Sequence, residues 1–438
     1  MAAPTITLTK DQEAANNAFL DFLVSDENFF IIQGAAGTGK SFLVRHLLDT
    51  FYSRYKAYCL LLQKDVKQFD VKITATTNKA VSVLEDFLKD FLATRPDIKI
   101  CTIYSLLGIR VTNDRKTGKT SLTFNQNQVP QFRTDGSVLP LVFIDEYSFF
   151  GQELQDIMES VLVKGAKAKI VYIGDKYQLS PVGQTASAVE SLQCTRAELD
   201  EVVRNSGHIL HTGTQFRRSV ETGLFMPIQY NGQDVLHCTG PEFQQRVEAS
   251  FGDPEWDPSK SRILAWTNER VHEYNKHVRK CLHLPEMFQT GEAVITNEFI
   301  GGAGRYHKTV DSWVRITRVI KDPITQYNID GYMVELDHSH VGFLPNNPKK
   351  VQALLKSLAK EKNWTAFFDI KENWLDLRPI YASSVHKAQG STYETVFLDL
   401  SDIGKNWNAS DVARLLYVGI TRASKQVVCY GYLPDRYC

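Results

Sequence analysis

Short apolar runs alternate with amphipathic segments over the first 200 residues of the chain. Apolar runs without polar interruption suit strands that are buried on both faces of a parallel sheet. We predict strands at 29–33, 72–77, 99–103, 139–144 and 169–173, and helices at 41–55 and 78–94. Strands that alternate with helices indicate a parallel sheet with crossover helices.

The same pattern returns in the second half of the chain and is then interrupted. A strand at 262–266 and a helix at 269–282 are followed by alternating, strand-like segments at 291–295, 312–320 and 332–336. A helical pattern covers 349–374, and the α/β pattern resumes near residue 380, with strands at 395–400 and 426–430. We therefore predict a small β-barrel with a helical extension, inserted into a second α/β domain.

The predicted fold class is α/β, with two parallel-sheet domains. The first domain covers 1–199 and carries a two-stranded hairpin at about 109–130, where polar and apolar residues alternate around a charged tip. The second domain is formed by 200–289 and 378–438, and the inserted segment covers 290–377.

Composition narrows the class of protein only a little. The chain has 438 residues, of which 43% are apolar and 23% charged, as in ordinary globular proteins. No apolar run approaches the ~18 residues of a membrane span, and the N-terminus does not resemble a secretory signal. Basic and acidic residues balance at 50 each, which neither supports nor excludes nucleic acid. The seven cysteines show no zinc-type spacing, so we expect reduced thiols.

Residues 34–41 read G-A-A-G-T-G-K-S, between a predicted strand and a predicted helix. In that context the spacing G-x-x-x-x-G-K-[ST] predicts a phosphate-binding loop rather than a chance glycine loop. Lys40 would reach the β- and γ-phosphates, and the Ser41 hydroxyl would ligate Mg²⁺. The predicted nucleotide-binding residues of the loop are Gly34, Ala35, Ala36, Gly37, Thr38, Gly39, Lys40 and Ser41.

Two later predicted strands are followed by residues that suit the binding of Mg²⁺, water and a phosphate. The apolar strand 141–144 ends in Asp145 and Glu146. We predict that Asp145 holds the Mg²⁺ and that Glu146 polarises the attacking water. Gln178 lies in G-D-K-Y-Q-L-S-P-V, which follows the next strand. A glutamine beside a γ-phosphate can donate to it and accept from water, and so can sense whether that phosphate is present.

These motifs, in this order, resemble those of superfamily 1 helicases. The C-terminal half adds S-V-H-K-A-Q-G-S at 384–391 and L-Y-V-G-I-T-R-A at 416–423, which resemble the fifth and sixth motifs of that family. The compact layout is similar to that of the 5′-to-3′ branch, which includes the phage Dda helicase and RecD-like helicases. The resemblance implies two RecA-like motor domains, an SH3-like inserted barrel and a hairpin that acts as a pin.

The resemblance also implies residue roles, with ATP and Mg²⁺ as cofactors. Gln12 would read the adenine, Glu394 would touch the ribose, and Arg204 and Arg422 would approach the γ-phosphate. Such arginines stabilise the charge that develops during phosphoryl transfer. The predicted catalytic residues are Lys40, Glu146, Gln178, Arg204 and Arg422.

A DNA path is implied along the ends of other strands. The predicted contacts are Thr76, Thr77, Asn78, Lys79, Thr102, Tyr104, Ser384 and His386. Hydroxyl and amide groups at a helix N-terminus suit phosphate contacts. His386 has a structural alternative, a buried histidine. Base stacking by Trp266, Phe299, Trp313 and Trp364 has the alternative of ordinary core packing.

We therefore expect an ATP-dependent DNA helicase that translocates 5′ to 3′ on single-stranded DNA and unwinds duplex. The expected setting is a phage protein in the host cytoplasm, used in replication or recombination. Its expected partners are single-stranded and duplex DNA and replication or single-strand-binding proteins, with no membrane contact and a monomeric state. The alternatives are a superfamily 1 RNA helicase and a phosphate-loop NTPase that does not unwind.

Overall fold

The structure is a computed structural model that describes residues 8–113, 120–124, 138–180, 186–201, 207–298, 300–301, 307–308 and 310–437. The contacts within it divide the chain into two compact units. The first unit is Met1–Arg110 with Phe124–Val220, and the second is Val111–Thr123 with Glu221–Cys438. The sequence places the domain boundary at residue 199, and that boundary stays a prediction.

The first half of the chain contains these helices and strands. The helices are α1 (Lys10–Val24), α2 (Lys40–Leu61), α3 (Asn78–Phe87), α4 (Lys89–Thr94), α5 (Ile103–Leu106), α6 (Gln152–Met158) and α7 (His208–Thr222). The strands are β1 (Phe29–Gly34), β2 (Gln68–Ala75), β3 (Ile100–Thr102), β4 (Ile109–Asn113), β5 (Thr120–Phe124), β6 (Val138–Asp145), β7 (Lys169–Gly174) and β8 (Thr195–Leu199).

Six of these strands form a parallel sheet in the order β3-β2-β6-β7-β1-β8. Because the strands are parallel, their carboxyl ends lie along one edge, where α/β proteins bind ligands. The register fixes the neighbours at that edge. Asp145 pairs with Ala75, and Gln33 pairs with Gly174.

Both faces of this sheet are covered. On one face Phe30, Ile32 and Phe143 pack with residues of α1 and α2, and on the other Ile31 and Ile144 pack with residues of α6. All five side chains are fully buried. The apolar runs in the sequence therefore reflect burial on both sides, which keeps the loop-bearing strand ends in fixed positions.

The predicted hairpin corresponds to β4 and β5, which pair as a separate two-stranded sheet. Its predicted tip and its end, at 114–119 and 125–130, lie outside the described residues.

The second half of the chain contains these helices and strands. The helices are α8 (Gly240–Phe251), α9 (Asn268–Cys281), α10 (Pro348–Lys360), α11 (Trp364–Asn373), α12 (Val385–Ala388), α13 (Leu400–Ile403) and α14 (Ala409–Thr421). The strands are β9 (Val235–Cys238), β10 (Ser261–Ala265), β11 (Ala293–Thr296), β12 (Ile300–Gly301), β13 (His307–Lys308), β14 (Trp313–Gln326), β15 (Ile329–Leu336), β16 (His340–Pro345), β17 (Leu377–Pro379), β18 (Ala382–Ser384), β19 (Tyr393–Asp399) and β20 (Ala423–Tyr430).

A second parallel sheet runs β18-β10-β19-β20-β9. The prediction of an α/β fold with two parallel sheets is confirmed. A separate five-stranded sheet, β16-β15-β14-β11-β17, is antiparallel and comes from the predicted insertion. Its core includes the fully buried Val294, Val314 and Val334. Helices α10 and α11 add a second cluster around Leu358 and Ile370.

Two segments that we predicted as single continuous helices are each divided into two helices, so these predictions are wrong. The helix predicted at 349–374 is broken into α10 and α11, because Lys362 has a left-handed backbone (φ 57°) and Asn363 caps the new helix through Ala366 N–H at 3.3 Å. The helix predicted at 78–94 is divided at Leu88 into α3 and α4. Apolar periodicity continues across both breaks, so the pattern alone does not detect them.

No helix among the described residues is long and apolar enough to cross a lipid bilayer.

Gly174, at the carboxyl end of β7, leads to a stability prediction. An added Cβ would lie 2.7 Å from Tyr147 Cδ1, and the Tyr147 ring is fully buried. We expect Gly174→Ala to destabilise the protein by about 1–3 kcal/mol, as overpacking does. The measurement is chemical unfolding. The control is Gly165→Ala, where the nearest atom to the added Cβ is Ser160 O at 3.5 Å. Equal stability of the two variants would contradict the close packing described here.

Candidate active site

The loop between β1 and α2 depends on glycine. Gly37 and Gly39 have φ angles of 85° and 78°, a left-handed region that other residues rarely adopt. Gly39 precedes the first residue of α2, and no side chain caps that helix. The N–H groups of the first turn therefore stay available to an anion.

Gly34 is needed for a different reason, which is space. A Cβ at Gly34 would lie 2.6 Å from Thr38 Oγ1 and 2.9 Å from the backbone oxygen of Leu199. The start of the loop thus packs directly against the end of β8. The Thr38 hydroxyl donates to Ala35 O at 3.0 Å and closes the loop from within.

Lys40 holds its charge at the centre of this loop. Its Nζ donates to Gly34 O at 2.7 Å and to Ala35 O at 2.9 Å. Both partners are neutral carbonyl groups, so they orient the ammonium without cancelling its charge. A bound phosphate would meet an oriented cation together with the N-terminus of α2.

The acidic pair lies at the end of β6, as predicted. Burial, reinforced by the neighbouring carboxylate of Glu146, raises the pKa of Asp145 to about 7, and Lys40 opposes this increase. Asp145 and Ser41, the two predicted Mg²⁺ ligands, line the same small cavity between α2 and the sheet. A carboxylate and a hydroxyl are the oxygen donors that Mg²⁺ prefers, so these residues fit the ion.

Glu146 has an unusual backbone and an unsatisfied side chain. Its φ and ψ are 56° and 48°, a region that a glutamate rarely adopts. Among the described residues, its buried Oε2 has no hydrogen-bond partner. Strained backbone concentrates at functional sites, and a buried carboxylate oxygen without a partner suits a group that contacts water or ligand.

Gln178 follows β7 in a tight turn. Asp175, which is buried, accepts the Tyr177 N–H at 2.9 Å through its carboxylate and the Gln178 N–H at 3.2 Å through its carbonyl. The turn places the buried Gln178 after the strand that pairs with both β1 and β6. Residues 181–185, the end of this motif, lie outside the described residues.

Gln12 supports the loop in this structure. Its side chain forms a capping box with Thr9 at the start of α1, and its Nε2 donates to Thr38 O at 3.2 Å. The predicted adenine contact stays a prediction. The sequence motif did not indicate this second role, because Thr38 lies 26 positions away.

The predicted DNA contacts of the first unit follow β2 and β3. Thr77 caps α3 through the Ala80 N–H at 3.2 Å, and Thr102 caps α5 through the Ser105 N–H at 3.1 Å. Thr76 has a buried hydroxyl with no partner among the described residues. The remaining residues of this set reach the surface to different degrees, with Asn78 exposed, Lys79 half-buried and the Tyr104 ring 38% exposed.

In the second unit, strand β18 is likewise followed by a helix that a side chain caps. Ser384 caps α12 through the Lys387 N–H at 3.3 Å. His386 is exposed at the surface, so the alternative of a buried structural histidine is not what the structure shows. Surrounding protein still lowers the pKa of His386, because it desolvates the charged ring, and Asp411 opposes this effect.

Arg422 is a buried cation with neutral partners. Its guanidinium donates to Ser391 O at 3.1 Å and to Val418 O at 3.3 Å, and 7% of the residue is exposed. Within the part of the chain that the structure describes, no carboxylate pairs with it. A buried, unneutralised guanidinium is suited to bind an anion.

Glu394 and Arg204 are two further predicted nucleotide contacts. The Glu394 carboxylate pairs with Lys425 at 2.8 Å on an exposed surface, and its predicted ribose contact is untested. Arg204 lies outside the described residues.

The aromatic residues predicted to stack on bases differ in their exposure and packing. Trp313 is 53% exposed. Trp364 packs against Phe367, with ring centroids 5.6 Å apart, as the core alternative expects. Trp266 is half-buried, and Phe299 lies outside the described residues.

Sequence reasoning missed Asp402, which organises the end of β10. Its carboxylate accepts the N–H groups of Trp266 at 2.9 Å and Thr267 at 2.7 Å. These bonds and Lys405 hold the pKa of Asp402 below its ordinary value, although burial opposes them. An aspartate so distant along the chain carries no signal of this contact.

Fold and loop together define a phosphate-loop ATPase with RecA-like parallel sheets. Residues 7–224 match the family model of an AAA domain, and residues 379–430 match that of a UvrD-like helicase C-terminal domain. Together the two matches cover more than half of the chain. The first match extends beyond the predicted domain boundary at residue 199, and the second lies within the last segment, 378–438, of the predicted second domain.

Curated relatives match along most of the chain. An uncharacterised protein of Acanthamoeba polyphaga mimivirus is 24% identical, over 96% of this chain and 98% of its own length. The ATP-dependent DNA helicase dda of Enterobacteria phage T4 is 22% identical, with the same two coverages. RecD, a subunit of the RecBCD enzyme from Buchnera aphidicola, is 22% identical over 91% of this chain and 70% of its own.

Solved structures of Pif1 helicases share the fold. A structure of Pif1 helicases at forked double-stranded DNA has a TM-score of 0.53 at 14% identity, over 99% of this chain and 94% of that one. Pif1 from Bacteroides, in complex with ADP-AlF3 and single-stranded DNA, has a TM-score of 0.51 with the same identity and coverages. The chain belongs to the superfamily 1 helicases of the Dda/RecD type, which confirms the resemblance read from its motifs, and it shares its fold with Pif1 helicases.

The raised pKa of Asp145 predicts a pH-dependent stability change. The folded pKa of about 7 exceeds the ordinary 3.8, so folding favours the protonated acid and the stability it contributes is lost as pH rises through about 7. Asparagine cannot ionise. We therefore expect Asp145→Asn to raise the melting temperature of the metal-free protein at about pH 8, and to raise it by less at about pH 5, where wild-type Asp145 is still mostly protonated in the folded protein.

Thermal unfolding at both pH values measures this difference. Asp86→Asn, on the exposed face of α3, is the matched control and should change little at either pH. An equal shift of Asp145→Asn at both pH values would contradict the raised pKa.

Proposed function

We propose that this protein is an ATP-dependent DNA helicase that translocates 5′ to 3′ along single-stranded DNA and unwinds duplex. The observation that carries the proposal is the register of β2 and β6. Asp145 pairs with Ala75, so the acidic pair and the motif 76–79 leave neighbouring strands at the same level. A change in one loop on nucleotide hydrolysis can therefore reach the other directly.

In this proposal the first unit binds and hydrolyses ATP. Lys40 and the N-terminus of α2 bind the phosphates, and Ser41 and Asp145 hold Mg²⁺. When bound, Mg²⁺ offsets charge on the β- and γ-phosphate oxygens. Glu146 orients the attacking water and accepts its proton on the carboxylate oxygen that has no other partner. Gln178 contacts the γ-phosphate and so distinguishes ATP from ADP.

The DNA contacts are proposed at the capped strand ends. Thr77, Thr102 and Ser384 each use the hydroxyl to cap a short helix, which leaves backbone N–H groups and adjacent side chains for phosphates. The unpartnered hydroxyl of Thr76 and the exposed ring of His386 extend this surface. Phosphate contacts of this kind suit movement along a strand, because they do not depend on base sequence.

The two insertions receive distinct proposed roles. Strands β4 and β5 form the pin that separates the duplex, and the sheet β16-β15-β14-β11-β17 is the SH3-like barrel. The 5′-to-3′ direction is supported by the order of these segments along the sequence, in which the hairpin interrupts the first predicted domain and a small β insertion interrupts the second, and by the likeness to Dda and RecD. Arg204 and Arg422 are proposed as γ-phosphate contacts, Gln12 as the adenine contact and Glu394 as the ribose contact.

The proposed setting is a viral one. The relative from phage T4 supports a phage-encoded protein that acts in the host cytoplasm, during replication or recombination.

Replacing Glu146 separates nucleotide binding from chemistry. Glu146→Gln keeps the size of the side chain but removes the proton acceptor. We expect DNA-stimulated turnover to fall by about two to four decades, the usual contribution of a general base, with little loss of ATP affinity. The measurements are steady-state ATPase activity and binding of a fluorescent ATP analogue. Glu153→Gln, on the exposed surface of α6, is the matched control. Lost affinity with normal turnover would contradict the assignment.

Direction is tested with two substrates that share one duplex and differ only in the end that carries the single-stranded tail. Under single-turnover conditions with ATP and Mg²⁺, we expect rapid unwinding with the 5′ tail and little with the 3′ tail. Lys40→Ala, which removes the phosphate-binding cation, should unwind neither. Preference for the 3′ tail would overturn the direction and leave the ATPase assignment intact.

The same assay with an RNA tail tests the nucleic acid. ATPase activity that RNA stimulates as well as DNA would favour an RNA helicase. ATPase activity without unwinding of any substrate would favour an NTPase with another role.

A further inference from the structure

Three potential metal ligands meet between two helices of the second unit. His277 and Cys281 lie one turn apart on α9, and Glu248 lies on α8. The two helices are held together by apolar packing, in which Phe243 and Val247 of α8 and Val278 of α9 belong to one core cluster. The polar group therefore lies on a fixed framework.

The distances between the ligand atoms fit a single ion. Cys281 Sγ is 3.3 Å from Glu248 Oε1 and 3.4 Å from His277 Nε2, and all three atoms lie within 4.8 Å of one another. Tetrahedral Zn²⁺, with bonds of about 2.3 Å to sulfur and about 2.0–2.1 Å to nitrogen, separates those ligands by about 3.6 Å. Small side-chain rotations are enough to reach that spacing.

The surroundings hold the ligands in place and keep them accessible. Gln244 Nε2 donates to Glu248 Oε1 at 2.9 Å and orients the carboxylate. Glu248 is exposed, and His277 and Cys281 are half-buried. An ion can therefore enter from solvent, and water can occupy the fourth position.

The kinds of ligand atom in this group determine which metal ions it can bind. A thiolate, an imidazole and a carboxylate suit Zn²⁺ and similar transition-metal ions, whereas Mg²⁺ and Ca²⁺ prefer oxygen donors. The group is thus chemically distinct from the Ser41 and Asp145 pair of the first unit. The cysteine spacing in the sequence did not predict it, because Glu248 lies on another helix and cysteine alone defines no zinc motif.

We propose that Glu248, His277 and Cys281 bind one Zn²⁺ ion that links α8 to α9. Binding displaces the proton of the Cys281 thiol to solvent, and the thiolate then ligates the metal. Because the ion binds the folded arrangement, it stabilises the second unit by mass action. This proposal does not depend on the direction of translocation or on the nucleic acid.

Cobalt is the probe, since thiolate-bound Co²⁺ has a charge-transfer absorption band in the near ultraviolet. The full chain is titrated with Co²⁺ under reducing conditions, with excess Mg²⁺ to occupy oxygen sites. We expect the band to saturate at one equivalent, and Zn²⁺ to remove it. Cys281→Ser should lose the band, and His277→Ala should weaken Co²⁺ binding at least tenfold. Zn²⁺ should raise the melting temperature of the wild type and not that of Cys281→Ser.

Cys194→Ser is the matched control, because Cys194 is a half-buried thiol outside the cluster, and it should retain the band. Glu248→Gln is the second variant, to be used if Cys281→Ser does not fold, and it should weaken Co²⁺ binding. An unchanged band in Cys281→Ser, or no band in the wild type, would overturn the proposal. The three side chains would then form only a thiol-centred hydrogen-bond group.

Discussion

Parallel pairing of the strands in the first sheet is the constraint on which the candidate site depends. Pairing aligns the carboxyl ends of β1, β2, β6 and β7, and their register places Ala75 opposite Asp145 and Gln33 opposite Gly174. The strands β1, β6 and β7 are buried on both faces, so their ends cannot move without disturbing the core. The groups of the candidate site therefore come together from segments that lie far apart in the sequence.

The site keeps charges that the fold itself does not neutralise. Lys40 lies against neutral carbonyl groups, and Asp145 has a raised pKa because burial and Glu146 disfavour its ionised form. Such an arrangement reduces the stability of the protein without ligand. In the proposed site, a nucleotide with Mg²⁺ would supply the missing charges, negative beside Lys40 and positive beside Asp145, so its binding would relieve the unfavourable electrostatics that folding leaves behind.

Sequence alone predicted those parts of the site that depend on local chemistry. The phosphate loop, the acidic pair and the strands before them follow from short motifs and from apolar runs that reflect two-sided burial. Long-range contacts were missed for a physical reason. Gln12 reaches Thr38, Asp402 holds the end of β10, and Glu248 meets Cys281, and none of these pairs has a fixed spacing along the chain. Helix breaks at Leu88 and Lys362 were missed because apolar periodicity continues across them.

In both parallel sheets, several strands are followed by a helix whose first turn is capped by the side chain of a serine or threonine. Thr77, Thr102 and Thr267 cap such helices after β2, β3 and β10, and Ser384 does so after β18. A capping hydroxyl satisfies one of the free N–H groups of the first helical turn and leaves others unpaired. Each capped strand end thus combines a rigid backbone with donors that suit a phosphate oxygen. The capped end of β2 lies beside the acidic pair in the first sheet, because β2 and β6 are paired with Ala75 opposite Asp145. In the proposed mechanism, hydrolysis at Glu146 would therefore change the position of the proposed phosphate-binding group through a single pair of neighbouring strands.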